Sequence, residues 1–242
     1  MSTAPFEAAH PPVFAGGSLT RQLLIRRSAN ARKLRLVIDP RDGSVRLTLP
    51  ARASLRRALV WVEEKRGWIE QELTKLLPPQ PIGPGSLIPV EGVDHLVEWM
   101  EGTGRRVSRA DNRLLVGGPR EAISGRVVRW LRAEALRVLD AETRAFGARA
   151  GVTIARVSIG DPKGRWGSCS SSGNIRYNWR LIMAPANVRI ATVAHEVAHR
   201  VHMDHSAAFH RQVERLLGRS PEPERAWLRL NGTGLHQIGR EV

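Results

Sequence analysis

Apolar positions in the first half of the chain follow two periods. Residues 21–27, 33–39 and 44–49 read as short strands: in the second, Leu34, Leu36 and Ile38 alternate with other residues, and the stretch from Pro40 to Gly43 supplies a turn. A small antiparallel sheet is expected. From Ser54 the period lengthens. Leu55, Leu59, Val62, Ile69, Leu73 and Leu76 line one side of a helix to about Leu77, with Ser54 as its N-cap. Trp61 and Trp68 are expected to be packing aromatics on it. The stretch from Pro78 to Gly85 carries four prolines, cannot continue a helix, and reads as a linker or extended loop. Strand patterns return at residues 94–100 and 113–116, closed by Gly117-Gly118-Pro119. Residues 1–18, with Pro5, Pro11, Pro12, Gly16 and Gly17, read as a flexible leader. Residues 19–119 are then an N-terminal β-rich module with one long helix, and scaffolding is its expected job.

In the second half a long helix is expected over residues 120–150, with Ile123, Val127, Leu131, Val138 and Phe146 turned inward and its arginines on a solvated face. Strands follow at 152–159, 166–170 and 174–182, the last two joined by a Ser-Ser-Gly turn. Ile190, Val193, Ala194, Val197, Ala198 and Val201 then give a helical apolar surface, so this helix packs into a core.

That last helix carries the chemistry. His195 and His199 are four residues apart, about 40° apart around a helix and one turn along it, so both imidazoles reach one cation. Zinc takes neutral imidazole, and a catalytic zinc site keeps one position open beside three protein ligands. Glu196 projects beside His199, where a carboxylate can take a proton from water in that open position. With 8 histidines and 16 glutamates in 242 residues, chance alone would produce this four-residue spacing in roughly one shuffled chain in sixty. The third ligand has several candidates. His205 is ten residues after His195, the offset of one known two-histidine helix pattern, although the glycine of that pattern is His202 here. His202 itself stands about 10 Å along the axis from His195, awkward for sharing an ion. His210 and Glu214 lie further on. His205 is the preferred ligand, reached if the helix ends near Met203-Asp204 and the chain turns back.

Composition narrows the setting. With 42% hydrophobic and 25% charged residues the chain suits a globular protein with one good-sized core or two small ones. No apolar run is long enough for a membrane span, residues 1–20 lack a signal-peptide pattern, and Cys169 is the single cysteine, so the expected compartment is cytoplasmic and no membrane partner is expected. A net charge of +15 would ordinarily point to nucleic acid. However, 34 of the 38 basic residues are arginines spread along the whole chain, a bias that a genome rich in G and C also produces. Nucleic acid therefore stays a candidate partner and no more.

Arg165-Trp166-Gly167-Ser168-Cys169-Ser170, Gly173-Asn174-Ile175, Asn178-Trp179-Arg180-Leu181-Ile182 and Ala184-Pro185 precede the histidine helix. Together with His195-Glu196-Val197-Ala198-His199 and His205-Ser206-Ala207-Ala208-Phe209, the series resembles the YgjP-like metallopeptidase family, relatives of the SprT-like zinc proteases. The family commonly has Trp after that Phe, where this chain has His210. The resemblance implies His195, His199 and His205 as ligands of one zinc ion and Glu196 as catalytic acid/base. The expected fold is α+β: a zincin-like catalytic half at residues 120–242, made of a helix, a short antiparallel or mixed sheet and the histidine helix, behind the β-rich module. The expected activity is hydrolysis of peptide bonds in a peptide or protein substrate. A DNA-associated protease or adaptor, or a zinc-stapled module without catalysis, are the alternatives. Trp166, Gly167 and Ser168 are candidates for substrate contact, Gly167 because it lets a backbone come close. Arg176, Tyr177 and His202 are candidate stabilisers of an oxyanion. Trp179 and Cys169 are read as packing residues.

Overall fold

The computed structural model describes residues 11–240. It divides into two compact units, residues 1–78 and 79–242, so the division falls between Pro78 and Pro79 and not after residue 119. Among the described residues there are six α-helices and three mixed sheets, a mixed α/β fold of the α+β kind, and no helix is long and apolar enough to cross a membrane.

The first unit holds β1 (Val13–Gly16), β2 (Leu19–Ser28), β3 (Arg35–Ile38) and β4 (Val45–Pro50) in the order β1-β2-β4-β3. β1 was not expected. It occupies part of the stretch read as a flexible leader, whose residues 1–10 lie outside those described. The sheet is not antiparallel throughout, because β2 and β4 pair in parallel between antiparallel edges. Alternation in β4 buries Val45, Leu47 and Leu49 against Ala58, Val62, Ile69 and Leu73. Those four side chains come from two helices rather than one. α1 (Leu55–Glu64) is capped by Ser54, whose hydroxyl accepts from the Arg57 amide, and α2 (Arg66–Thr74) starts after a break at Lys65. Trp61 packs on this core, whereas Trp68 is largely exposed.

The second unit opens with a sheet of the same plan. β5 (Leu87–Val90), β6 (Val93–Met100), β7 (Val107–Ala110) and β8 (Arg113–Gly117) run β5-β6-β8-β7, again with one parallel pair between antiparallel edges. The stretch read as a linker is folded into this unit: the Gln80 amide donates to the Gln237 carbonyl, and the Gln80 carbonyl accepts from the Gly239 amide. α3 (Ile123–Ala150) buries Ile123, Val127, Leu131, Ala135, Leu139, Thr143 and Gly147. A strict four-residue step advances about 40° each time, so the buried stripe winds round the helix. Its start meets β7 and β8, and further along it meets β9 (Arg156–Gly160) and α4 (Ala186–Ala198).

β9, β10 (Gly167–Cys169) and β11 (Asn174–Asn178) form the third sheet, in the order β10-β11-β9. β11 is shorter than expected, since residues 179–182 coil into a 3₁₀ turn after Asn178, whose side chain accepts from the Arg180 amide. α5 (Ala207–Leu217) and α6 (Glu222–Leu235) complete the unit.

Candidate metal centre

α4 is buried on most of its circumference, and three contacts fix its position. At its start, Arg189 donates to Glu142 of α3 at 2.7 Å and lies 3.1 Å from Glu91 of the β5–β6 turn. That turn approaches closely: a Cβ on Gly92 would stand 2.9 Å from Pro185 Cα, and Gly92 has φ 81°. At the other end Arg200 donates to the Ser171 carbonyl at 2.8 Å, tying the helix end to the β10–β11 turn.

The helix stops earlier than expected. His199 is its C-cap; the amides of Arg200 and Val201 bond back three residues and that of His202 bonds back to Ala198, so the last turn tightens and the chain leaves the helix before Met203. Ser206 then caps α5 by accepting from the Phe209 amide. The short loop between swings His205 back over the helix. His195 Nε2 and His205 Nε2 lie 3.4 Å apart, and ligand atoms of His195, His199 and His205 all fall within 4.8 Å of one another. The Phe209 ring, fully buried, touches all three imidazoles at centroid distances of 4.4 to 4.9 Å and forms the floor beneath them.

The His199 Nδ1 is 3.1 Å from the His202 carbonyl oxygen. A carbonyl can only accept, so Nδ1 carries the proton and Nε2 is left as an acceptor towards the other rings. Burial pushes the His195 pKa down to about 4, with His199 and His205 adding repulsion, and burial lowers His199 too. Both imidazoles are therefore neutral at pH 7, the form that ligates metal. The donor set fits a divalent ion that favours nitrogen ligands.

Glu196 lies one residue on from His195 and is 4% exposed, with no hydrogen-bond partner for its buried Oε2. Burial pushes its pKa up to about 7, and Arg165 pulls the other way. Space for its carboxyl depends on Gly167, where a Cβ would stand 2.6 Å from Glu196 Cγ. A cleft of about 450 Å³ opens on His195 and Glu196, walled by Arg165, Trp166 and Gly167 on one side and by α6 on the other. β10 is an edge strand on that wall. Asn178 donates to the Trp166 carbonyl and Ser170 to the Asn174 carbonyl, so by antiparallel alternation the main-chain groups of Gly167 and Cys169 point to the unpaired side.

Residues 32–231 match the family model described as YgjP-like, metallopeptidase domain. The chain belongs to the YgjP-like metallopeptidase family. No curated protein and no solved structure matches it.

In this YgjP-like chain the remaining expected site residues divide. Trp166 lines the cleft, while Ser168 and Arg176 face each other across the β10–β11 ladder and do not line it. Tyr177 is corrected to a core residue: it is fully buried, its hydroxyl shares a 2.9 Å hydrogen bond with Thr143, and burial holds it protonated. His202 gives the cluster its backbone carbonyl rather than its ring. His210 has its ring centroid 6.5 Å from that of His205, and neither it nor Glu214 joins the cluster. Cys169 packs against the core with its thiol pKa raised by burial, outside the cluster. Sequence reasoning missed α6, which supplies Arg225, Leu228 and Arg229 to the cleft. Its signal was present in Pro221-Glu222-Pro223-Glu224, prolines and acids at a helix start.

Proposed function

We propose that the protein is a zinc-dependent peptidase with a zincin-like catalytic half, in which His195, His199 and His205 hold one zinc ion and Glu196 moves the proton. The observation that carries this reading is the convergence of three imidazoles beside a buried carboxyl whose Oε2 has no hydrogen-bond partner, with His195 and Glu196 lining one cleft. A bound divalent ion supplies Lewis acidity there, polarising a carbonyl and bringing the pKa of water towards ~7. The outward main-chain groups of Gly167 and Cys169 hold an extended peptide by adding it to the edge of β10. Glu196 accepts the proton of the attacking water at Oε2 and returns it to the leaving amine. Gly167 keeps the space that carboxyl needs. The Phe209 floor excludes water from the inner side of the imidazoles.

The test is Glu196→Gln. The variant is expected to bind zinc with parent stoichiometry and to cleave peptides more slowly by about 10²-fold or more. Cleavage at the parent rate with zinc retained removes the assignment.

A further inference from the structure

The cleft beside Glu196 carries an unbalanced charge. Arg165 reaches it from the β9–β10 loop, and Arg225 and Arg229, one turn apart on α6, reach it from the facing side. The cleft also holds two acids, and neither answers this charge. Glu224 is buried and tied to Arg219 at 2.8 Å and to Asn187 at 3.0 Å. Glu196 is the buried carboxyl of the centre itself. Arg229 is taken by Glu222, but no acid lies in salt-bridge contact with Arg165 or Arg225 among the described residues.

An arginine-rich chain will place arginines in any groove, so their presence alone decides nothing. Position does. Among the described residues, arginines of this unit occur both on a carboxylate, as Arg137, Arg144, Arg180, Arg189 and Arg219 do, and without one, as Arg105, Arg106 and Arg129 do. Arg165 and Arg225 stand without a salt bridge in the cleft that the candidate centre itself opens on; the charge of Arg165 is felt at Glu196, and that of Arg225 at His195 and Glu222. The same cleft is lined by apolar Val188, Ala191 and Leu228.

We propose that this cleft selects its substrate by a carboxylate, held between Arg165 and Arg225 next to an apolar side chain resting on Val188 and Leu228. The inference rests on the peptidase reading for its substrate class and deepens it. A guanidinium pair offers bidentate donors that match a carboxylate in geometry and charge. The carboxylate is either an Asp or Glu side chain or the free terminus of the peptide, and both present the same group.

The experiment is binding of dye-labelled peptides to the full-length Glu196→Gln protein, read by fluorescence anisotropy at low salt. Four otherwise identical peptides carry Glu with an amidated end, Gln with an amidated end, Gln with a free carboxylate, or Lys with an amidated end. At least one carboxylate peptide is expected to bind about tenfold more tightly than the amidated Gln peptide, with Lys weakest. The advantage should shrink with salt and disappear in Arg165→Gln and Arg225→Gln. An advantage confined to the Glu peptide assigns a side chain, and one confined to the free end assigns the terminus. Equal binding of all four, no binding of any, or an advantage that survives both arginine changes overturns the proposal. Cleavage by the parent protein separates this from the peptidase reading. Hydrolysis blind to peptide charge, with equal binding, sinks the selectivity alone, whereas carboxylate-dependent binding without hydrolysis sinks the peptidase alone.

Discussion

The sheets β1-β2-β4-β3 and β5-β6-β8-β7 share their strand order, their single parallel pair and a two-residue turn closing the first hairpin. What each turn meets is different. Gly16, at the end of β1, presses on α2 of its own unit, where an added Cβ would stand 2.7 Å from Leu73 Cβ and closer still to the Glu70 carbonyl oxygen. The β5–β6 turn presses on the start of α4: the Glu91 amide donates to the Ile182 carbonyl, its carboxylate faces Arg189, and Gly92 abuts Pro185. One plan therefore serves two ends. In the first unit it closes a core, and in the second it holds the helix that carries His195, Glu196 and His199. Topology alone says nothing of function, which lies in what the turn has been given to hold.

The comparison breaks most sharply at the histidines. His199→Ala removes one of three converging donors and is expected to lower zinc affinity by more than about 100-fold, beyond the usual cost of losing a ligand's hydrogen-bonded partner. Leu47→Ala, in the core of the first unit, is expected to cost that unit about 2–5 kcal/mol and leave zinc affinity at the parent value. Hydrogen exchange and zinc titration on the two variants check the separation; a large fall in zinc affinity for Leu47→Ala would erase it.

The matched turn changes sharpen it. Gly16→Ala and Gly92→Ala both insert a methyl into an occupied space, at a cost of about 1–3 kcal/mol each. Gly92→Ala adds strain because its φ is 81°. Only Gly92→Ala is expected to weaken zinc binding, since only it shifts the start of α4. Equal zinc affinity in the two would show that the β5–β6 turn does not position the site.

How much of this could be read in the sequence follows from how local each feature is. The strands β2, β4, β6 and β8, the helix α3 and the shared face of His195 and His199 are set by periods of two and of 3.6 within a few residues. The edge strand β5 escaped because it is short and contains Pro89, and β7 because its Val-Ser-Arg-Ala carries no alternating apolar face, unlike the equally short β3. The break at Lys65 is marked only by Gly67, two residues on, inside a run whose apolar spacing continues across it. Tyr177 shares the buried face of β11 with Ile175, a period-two alternation against Asn174 and Arg176 that is present in the sequence; what is not local is the Thr143 hydroxyl of α3 that meets it. The early end of α4 comes with the His199 Nδ1 contact to the His202 carbonyl and with no glycine or proline as a stop residue.

The smallest expected effect concerns pH and the first unit. Asp39 is buried; that burial raises its pKa, but the paired Arg41 outweighs it and the net value is lowered. A lowered carboxylate contributes stability that is complete above its unfolded pKa and is lost as pH falls through the folded one. The first unit should therefore lose stability below the ordinary aspartate range, and Asp39→Asn should flatten that acid limb without touching zinc binding. An unchanged acid limb in the variant would show that another group sets it.

X-ray absorption at the zinc edge of the loaded full-length protein tests the central claim most directly. The account predicts three imidazole nitrogens and one further light atom at about 2.0–2.1 Å, with no sulfur. A shell of two imidazoles, or one containing the Cys169 sulfur at about 2.3 Å, would contradict it.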